Sequence, residues 1–127
     1  MRALYDGQFM NKRPLPVTII SLVYIAAGAG GLFLHITESL KRPFEFDIIW
    51  ISLVGLIAVA AGVWMLRGSD WARWLALAWM AFHVVLSAFH SMSQMAVHAV
   101  FLAVIAYFLF RGSATSYFRG HHRPVAP

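Results

Sequence analysis

The stretch LPVTIISLVYIAAGAGGLFLHIT, residues 15–37, decides the class of fold. It contains no charged side chain, and a helix needs about 20 apolar residues to cross a bilayer core about 30 Å thick. Three further apolar runs follow, each long enough or nearly so for the same purpose: Ile48–Leu66, Trp71–Ser91 and Met95–Phe110. The sequence therefore predicts an all-α integral membrane protein with four spanning helices.

Short loops join the apolar runs, and this feature predicts how the helices are arranged. Neighbours along the chain that are joined by short loops become antiparallel neighbours in space, which gives an up-down-up-down four-helix bundle. We expect a single transmembrane domain over residues 1–127, with spans at about 15–38, 47–67, 71–92 and 94–111 and short N- and C-terminal tails.

Charged residues are few and lie at the ends of the runs. Only 12% of the chain is charged, against about 25% in soluble domains. One side of the predicted membrane carries Arg2, Lys12, Arg13, Arg67, Arg73, Arg111, Arg119 and Arg123, and the other carries only Lys41 and Arg42. The positive-inside rule then predicts cytoplasmic termini, in the inner membrane of a prokaryote. Because the basic residues form no continuous stripe, nucleic acid is not expected as a partner.

No pattern of residues in the chain predicts a catalytic site. There is no cysteine, which excludes disulfide exchange and thiolate metal sites. Paired buried carboxylates, the GxSxG elbow, the P-loop and HExxH are also missing. We therefore expect no catalytic residue, and the protein is more readily interpreted as a non-enzyme.

Small residues recur on one face of the first two spans. Gly28 and Gly31 on the first span and Gly55 and Gly62 on the second are predicted to allow close helix approach. Small residues at three- and four-residue spacing are typical of helix contacts in membranes. These faces should line the bundle interior or a contact between subunits.

Histidines near the outer ends of three spans suggest a metal site. His35, His90 and His98 should lie at similar depth, and Glu38 follows His35 by about one turn. Imidazoles with a carboxylate suit zinc, copper or iron. The alternative is that these histidines only form hydrogen bonds between helices or with interfacial water.

The turn between the third and fourth spans offers a copper set that overlaps this cluster. Met92 and Met95 lie between His90 and His98, and thioether sulfur with imidazole suits Cu(I). The alternative is that both methionines are adaptable apolar filler.

A haem is the third option for a cofactor. His35 and His90 could ligate a haem b from facing helices, with Gly28 and Gly31 making room for the macrocycle.

Two polar residues, Tyr24 and His83, are expected near the midplane of the bilayer. An ionisable group at that depth often marks a proton or ion path. A neutral His83 that only donates one hydrogen bond, to Tyr24 or to a carbonyl of the first helix, is the structural alternative.

Two stretches carry a family resemblance. The segment RPLPVTI, residues 13–19, and the segment WARWLAL, residues 71–77, which follows Arg67, resemble a loose group of small four-helix prokaryotic membrane proteins. The resemblance covers nearly the whole chain, and it implies the four-helix architecture and no particular activity.

Three functions are consistent with the sequence. We favour a non-enzymatic accessory or assembly subunit that packs against other membrane subunits, or against further copies of itself, among membrane lipids. One alternative is a haem- or copper-binding redox or metal-handling protein that uses the outer histidines. The other is a small transporter or channel centred on His83.

Overall fold

The computed structural model describes residues 13–120, and this part of the chain is all-helical without strands. It contains five helices: α1 Leu15–Ser39, α2 Asp47–Leu66, α3 Asp70–Ala88, α4 Met92–Phe110 and α5 Gly112–Gly120. The first four are long and apolar enough to cross a membrane. The prediction of an all-α protein with four spanning helices is thereby confirmed. Residues 1–12 of the predicted N-terminal tail and residues 121–127 of the predicted C-terminal tail lie outside the described residues.

Proline and glycine mark the boundaries of the first two helices. Pro14 caps α1 in an extended conformation and Pro16 occupies its first turn, where a missing N–H costs no hydrogen bond. Helix α2 ends at Leu66, and Gly68, two residues later, has a φ of 80°. The Ser69 N–H reaches the Trp64 carbonyl at 3.0 Å and the Gly68 N–H reaches Met65 at 3.1 Å, which is a Schellman termination.

The tightest packing in the molecule joins α1 to α2 through glycines. A Cβ placed on Gly28 would lie 2.6 Å from the carbonyl oxygen of Gly55, and one on Gly62 would lie 2.6 Å from that of Ser21. Both distances are below any ordinary van der Waals contact. Only glycine therefore lets the two backbones approach this closely.

Gly31 differs from the other three predicted packing glycines. Nothing in the described chain lies within 4 Å of a Cβ built on it, and the same is true of Gly30. Gly31 does not pack against α2, because α2 contacts the Gly28 side of α1 and leaves the other side open, so the alternative of a contact between subunits stays a prediction for this glycine.

Aromatic side chains connect the α1–α2 pair to the rest of the molecule. The Tyr24 hydroxyl donates to the Ala76 carbonyl at 2.7 Å, and the Trp79 indole N–H donates to the Val54 carbonyl at 2.9 Å. Near the other end of α2, the Tyr117 hydroxyl donates to the Leu66 carbonyl at 2.9 Å. In each case an aromatic ring packs between helices, and its polar hydrogen is donated to a main-chain carbonyl of a neighbouring helix.

Helix α5 was not predicted, and its docking depends on a buried arginine. Arg73 is 2% exposed and pairs with Asp70 at 2.7 Å. Its second terminal nitrogen donates to the Leu109 carbonyl at 3.3 Å and to the Thr115 hydroxyl at 3.2 Å. The guanidinium also lies 4.6 Å from the centre of the Phe110 ring. These contacts fix the start of α5 against the ends of α3 and α4.

The third helix is shorter than predicted. It ends at Ala88 instead of continuing to about residue 92, and Phe89 and His90 form a turn. The N–H groups of His90 and Ser91 both bond to the Ser87 carbonyl. The regular helix therefore ends before His90, which lies in the turn that leads to α4.

Candidate functional site

An apolar groove lies where α1, α3 and α4 face one another. Its volume is about 370 Å³, and it forms because α1 packs far less on α4 than on α2. Rim residues such as Val23 and Phe101 are more than half exposed, so the groove opens to the outside of the bundle. Twelve residues line it: Ile19, Ile20, Val23, Tyr24, Ala27, Trp79, Met80, His83, His98, Phe101, Val104 and Ile105.

Two histidines form the polar part of the groove wall. His83 on α3 and His98 on α4 have ring centres 6.1 Å apart, with an angle of 36° between the ring planes. The Nδ1 of His83 lies 2.9 Å from the Trp79 carbonyl, and the Nδ1 of His98 lies 2.8 Å from the Gln94 carbonyl. A carbonyl only accepts, so both neutral rings carry their proton on Nδ1 and keep a lone pair on Nε2.

Ser87 joins the two histidines. Its hydroxyl donates to the His83 carbonyl at 2.7 Å and lies 2.9 Å from Nδ1 of His98. Since the hydroxyl hydrogen is used on that carbonyl, the Nδ1–H of His98 is shared between Ser87 and Gln94. The orientation of the His98 ring is therefore fixed from both α3 and α4.

Aromatic rings form the wall on the α1 side of His83. The Trp79 ring centre lies 3.9 Å from that of His83, and Tyr24 lies 5.3 Å from Trp79. The hydroxyl of Tyr24 is bonded to Ala76 and not to His83. The groove residues include no acid, so the wall of this cavity beside His83 is mainly apolar, and a transporter centred on His83 stays a prediction.

The predicted outer histidine cluster does not assemble. Within residues 13–120, no three histidine or acidic side chains come together as metal ligands. Glu38 is exposed and pairs with Arg42 at 3.3 Å and Lys41 at 3.7 Å. His90 is exposed, with its Nδ1 on the Leu86 carbonyl.

Of the remaining predicted metal ligands, only His98 has another histidine beside it. Met92 is 72% exposed, and Met95 lies half-buried in the following turn of α4. His35 is half-buried, and its Nε2 has no hydrogen-bond partner within residues 13–120. The histidine beside His98 is His83. The sequence predicts His83 nearer the midplane of the bilayer, as part of a proton or ion path.

The room predicted for a haem is filled by α2. Gly28 lies against the backbone of Gly55 and Val59, so the space above this glycine belongs to a helix contact. Gly28 therefore offers no room for a macrocycle, while a haem held by His35 and His90 stays a prediction.

Sequence reasoning missed Met80, Ser87 and Arg73 as site or support residues. Ser87 follows His83 by four residues and Met80 precedes it by three, so both share its side of α3. Arg73 follows Asp70 by three residues, a spacing that signals an ion pair. These spacings can be read from the sequence, but they do not show which neighbouring helix contacts that face of α3.

Comparisons with protein-family models, with curated proteins and with solved structures find no match to this chain.

Proposed function

We propose that this protein is a non-enzymatic accessory subunit of a larger membrane complex, in which a transmembrane helix of another subunit packs on the open side of α1. The observation that carries the proposal is a set of small residues on that side. Ala26, Ala27, Gly30 and Gly31 are all exposed, and nothing lies within 4 Å of a Cβ added to either glycine.

These exposed residues have the spacing of a helix contact. Ala26 with Gly30, and Ala27 with Gly31, are two small residues separated by three others, which is the spacing that lets membrane helices approach closely. Glycine in a helix costs up to about 1 kcal/mol relative to alanine. A second helix packed on the glycines offsets this cost through van der Waals contacts, and lipid does not.

The groove beside this surface favours a different subunit over a second copy. Ala27 lines the groove, so the small-residue face and the cavity are continuous. A two-fold dimer whose axis passes through the groove would bring groove against groove and fill neither. A foreign helix with large apolar side chains would cover the glycines and the α1 edge of the groove at once, and would leave the α3–α4 wall of the groove free.

The docking proposal is tested by the size of the native complex. We expect the wild-type protein, extracted from native membranes in mild detergent, to migrate on a native gel well above its monomer mass. Gly31→Leu and Ala27→Leu should release it, because the added side chains prevent close approach. Ala103→Leu, on an exposed residue of α4 outside the groove, should leave the complex intact.

Other outcomes of that experiment are decisive as well. A photo-crosslinking residue at position 30 should give an adduct with another polypeptide, and one at position 103 should not. An adduct of twice the chain mass would replace the foreign helix with a second copy. Migration of the wild type as a monomer would contradict the proposal.

We further propose the up-down-up-down arrangement, with both termini in the cytoplasm of a prokaryotic cell and the protein in its inner membrane. The excess of Lys and Arg on the side of the termini supports this orientation. The chain has no cysteine, so single cysteines report their side without interference. In intact cells, an impermeant maleimide should label Phe44→Cys, in the α1–α2 loop, and should leave Ser113→Cys unlabelled until the cells are lysed. The reverse pattern would invert the orientation.

A further inference from the structure

We propose that the groove holds a binding site for a soft monovalent metal ion, Cu(I), with Nε2 of His83, Nε2 of His98 and the thioether of Met80 as ligands. All three residues line the same cavity. This set shares only His98 with the ligands that the sequence predicted. It lies on α3 and α4, whereas the proposed docking surface lies on α1, so either can fail without the other.

The two imidazoles lie close together and keep their Nε2 atoms free of the hydrogen bonds that fix the rings. A ligating histidine usually donates its other ring N–H to a carbonyl or carboxylate, which fixes the ring and leaves one nitrogen for the metal. Both rings do this through Nδ1, to Trp79 and to Gln94. Metal–nitrogen bonds of about 2 Å place two imidazole centres on one ion about 5–6 Å apart. The observed separation is 6.1 Å.

Met80 supplies a third neutral donor. It precedes His83 by three residues on α3, which puts both side chains on the same side of the helix. The residue is 8% exposed, and its exposed part contributes to the wall of the groove. Thioether sulfur together with imidazole is a donor set that selects Cu(I) over harder ions.

The charge of the site selects a monovalent ion. No acidic residue lines the groove, and of the four acids within residues 13–120, Glu38 is paired with Arg42 and Asp70 with Arg73. The cost of moving an ion into an apolar medium rises with the square of its charge. With neutral ligands only, a divalent ion keeps its full charge in the groove, so Zn²⁺ is disfavoured relative to Cu(I).

The test is a titration of the purified full-length protein with Cu(I) under anaerobic, reducing conditions, in competition with a chromogenic Cu(I) chelator. We expect one ion per chain. His83→Gln, His98→Gln and Met80→Leu should each weaken binding by more than about 100-fold, because the loss of outer-shell groups alone costs about 10–100-fold. Met80→Leu nearly conserves side-chain volume, so it keeps the test valid if a histidine variant fails to fold.

Two control variants are matched to these ligands. His90 bonds through Nδ1 to the Leu86 carbonyl, as His83 does to Trp79, but it is exposed and lies outside the groove, so His90→Gln is the control for the histidine variants. Met92 is an exposed methionine, so Met92→Leu is the control for Met80→Leu. Both should bind Cu(I) like the wild type. Ser87→Ala, at a positioning residue, should weaken binding by about 10-fold while X-ray absorption still shows nitrogen and sulfur ligands.

Three results would overturn the site. They are the absence of stoichiometric Cu(I), equal losses in the His90 or Met92 controls, and a Zn²⁺ affinity that matches that of Cu(I). X-ray absorption of the bound ion should show a sulfur neighbour that disappears in Met80→Leu, and its persistence there would remove the thioether from the ligand set.

Discussion

Gly28→Ala and Gly62→Ala, made singly, are each expected to destabilise the protein by about 1–3 kcal/mol, the usual cost of overpacking. The added methyl group would lie 2.6 Å from a backbone oxygen of the facing helix in both cases. A main-chain atom cannot rotate away as a side chain can, so α1 and α2 must separate along their contact. Thermal unfolding in mild detergent, followed by circular dichroism, measures the loss.

Two glycines on the other side of α1 provide the control. Gly30→Ala and Gly31→Ala add the same methyl group to the same helix with nothing within 4 Å of it. Because alanine is also the better helix former, the stability of the isolated protein should stay the same or rise. Equal destabilisation by all four substitutions would mean that the α1–α2 contact is not as described.

Arg73→Ala is the second substitution with a large expected effect. Removing the guanidinium leaves Asp70 without its ion-pair partner and takes donors from the Leu109 carbonyl and the Thr115 hydroxyl. Deleting one partner of a fully buried ion pair costs about 3–5 kcal/mol, and we expect a smaller loss here because Asp70 is partly exposed to solvent. We expect lower thermal stability and release of α5, seen as faster trypsin cleavage at Arg111 and Arg119.

Arg67→Ala separates this effect from a general loss of positive charge. Arg67 belongs to the same turn region, but it is exposed and contacts only the face of Trp64, at 5.5 Å. Its removal should change thermal stability by less than about 1 kcal/mol. Arg73→Lys should fall between the two variants, since lysine keeps the charge but lacks the planar fork that serves several acceptors at once. Equal stability of Arg67→Ala and Arg73→Ala would contradict the buried network.

The four long helices could be predicted from sequence because their signal is carried by composition over about 20 residues. Such a signal does not depend on which side of a helix meets which neighbour. Ser39 ends α1 one residue from the predicted boundary at 38, since Pro43 and the charges beside it interrupt the apolar run.

The candidate site could not be predicted because it depends on the faces and the ends of helices. The helix spacing that grouped His90 with His35 does not show which helices become neighbours, and the structure packs α1 mainly on α2 and α3 mainly on α4. Gly28 and Gly31 show the same limit. They are one turn apart and chemically identical, yet α2 contacts only one of them.

Natural variation should reflect the way the helix pairs are joined. Tyr24, Trp79 and Tyr117 donate to carbonyl oxygens at positions 76, 54 and 66, and every amino acid carries that oxygen. The residues at the accepting positions can therefore drift through evolution as long as their size is tolerated. Each donor, by contrast, requires an aromatic ring with a polar hydrogen at its far end. Among homologues we therefore expect the three aromatic donors to be conserved. The accepting positions 76, 54 and 66 should vary without a matching change in the donors.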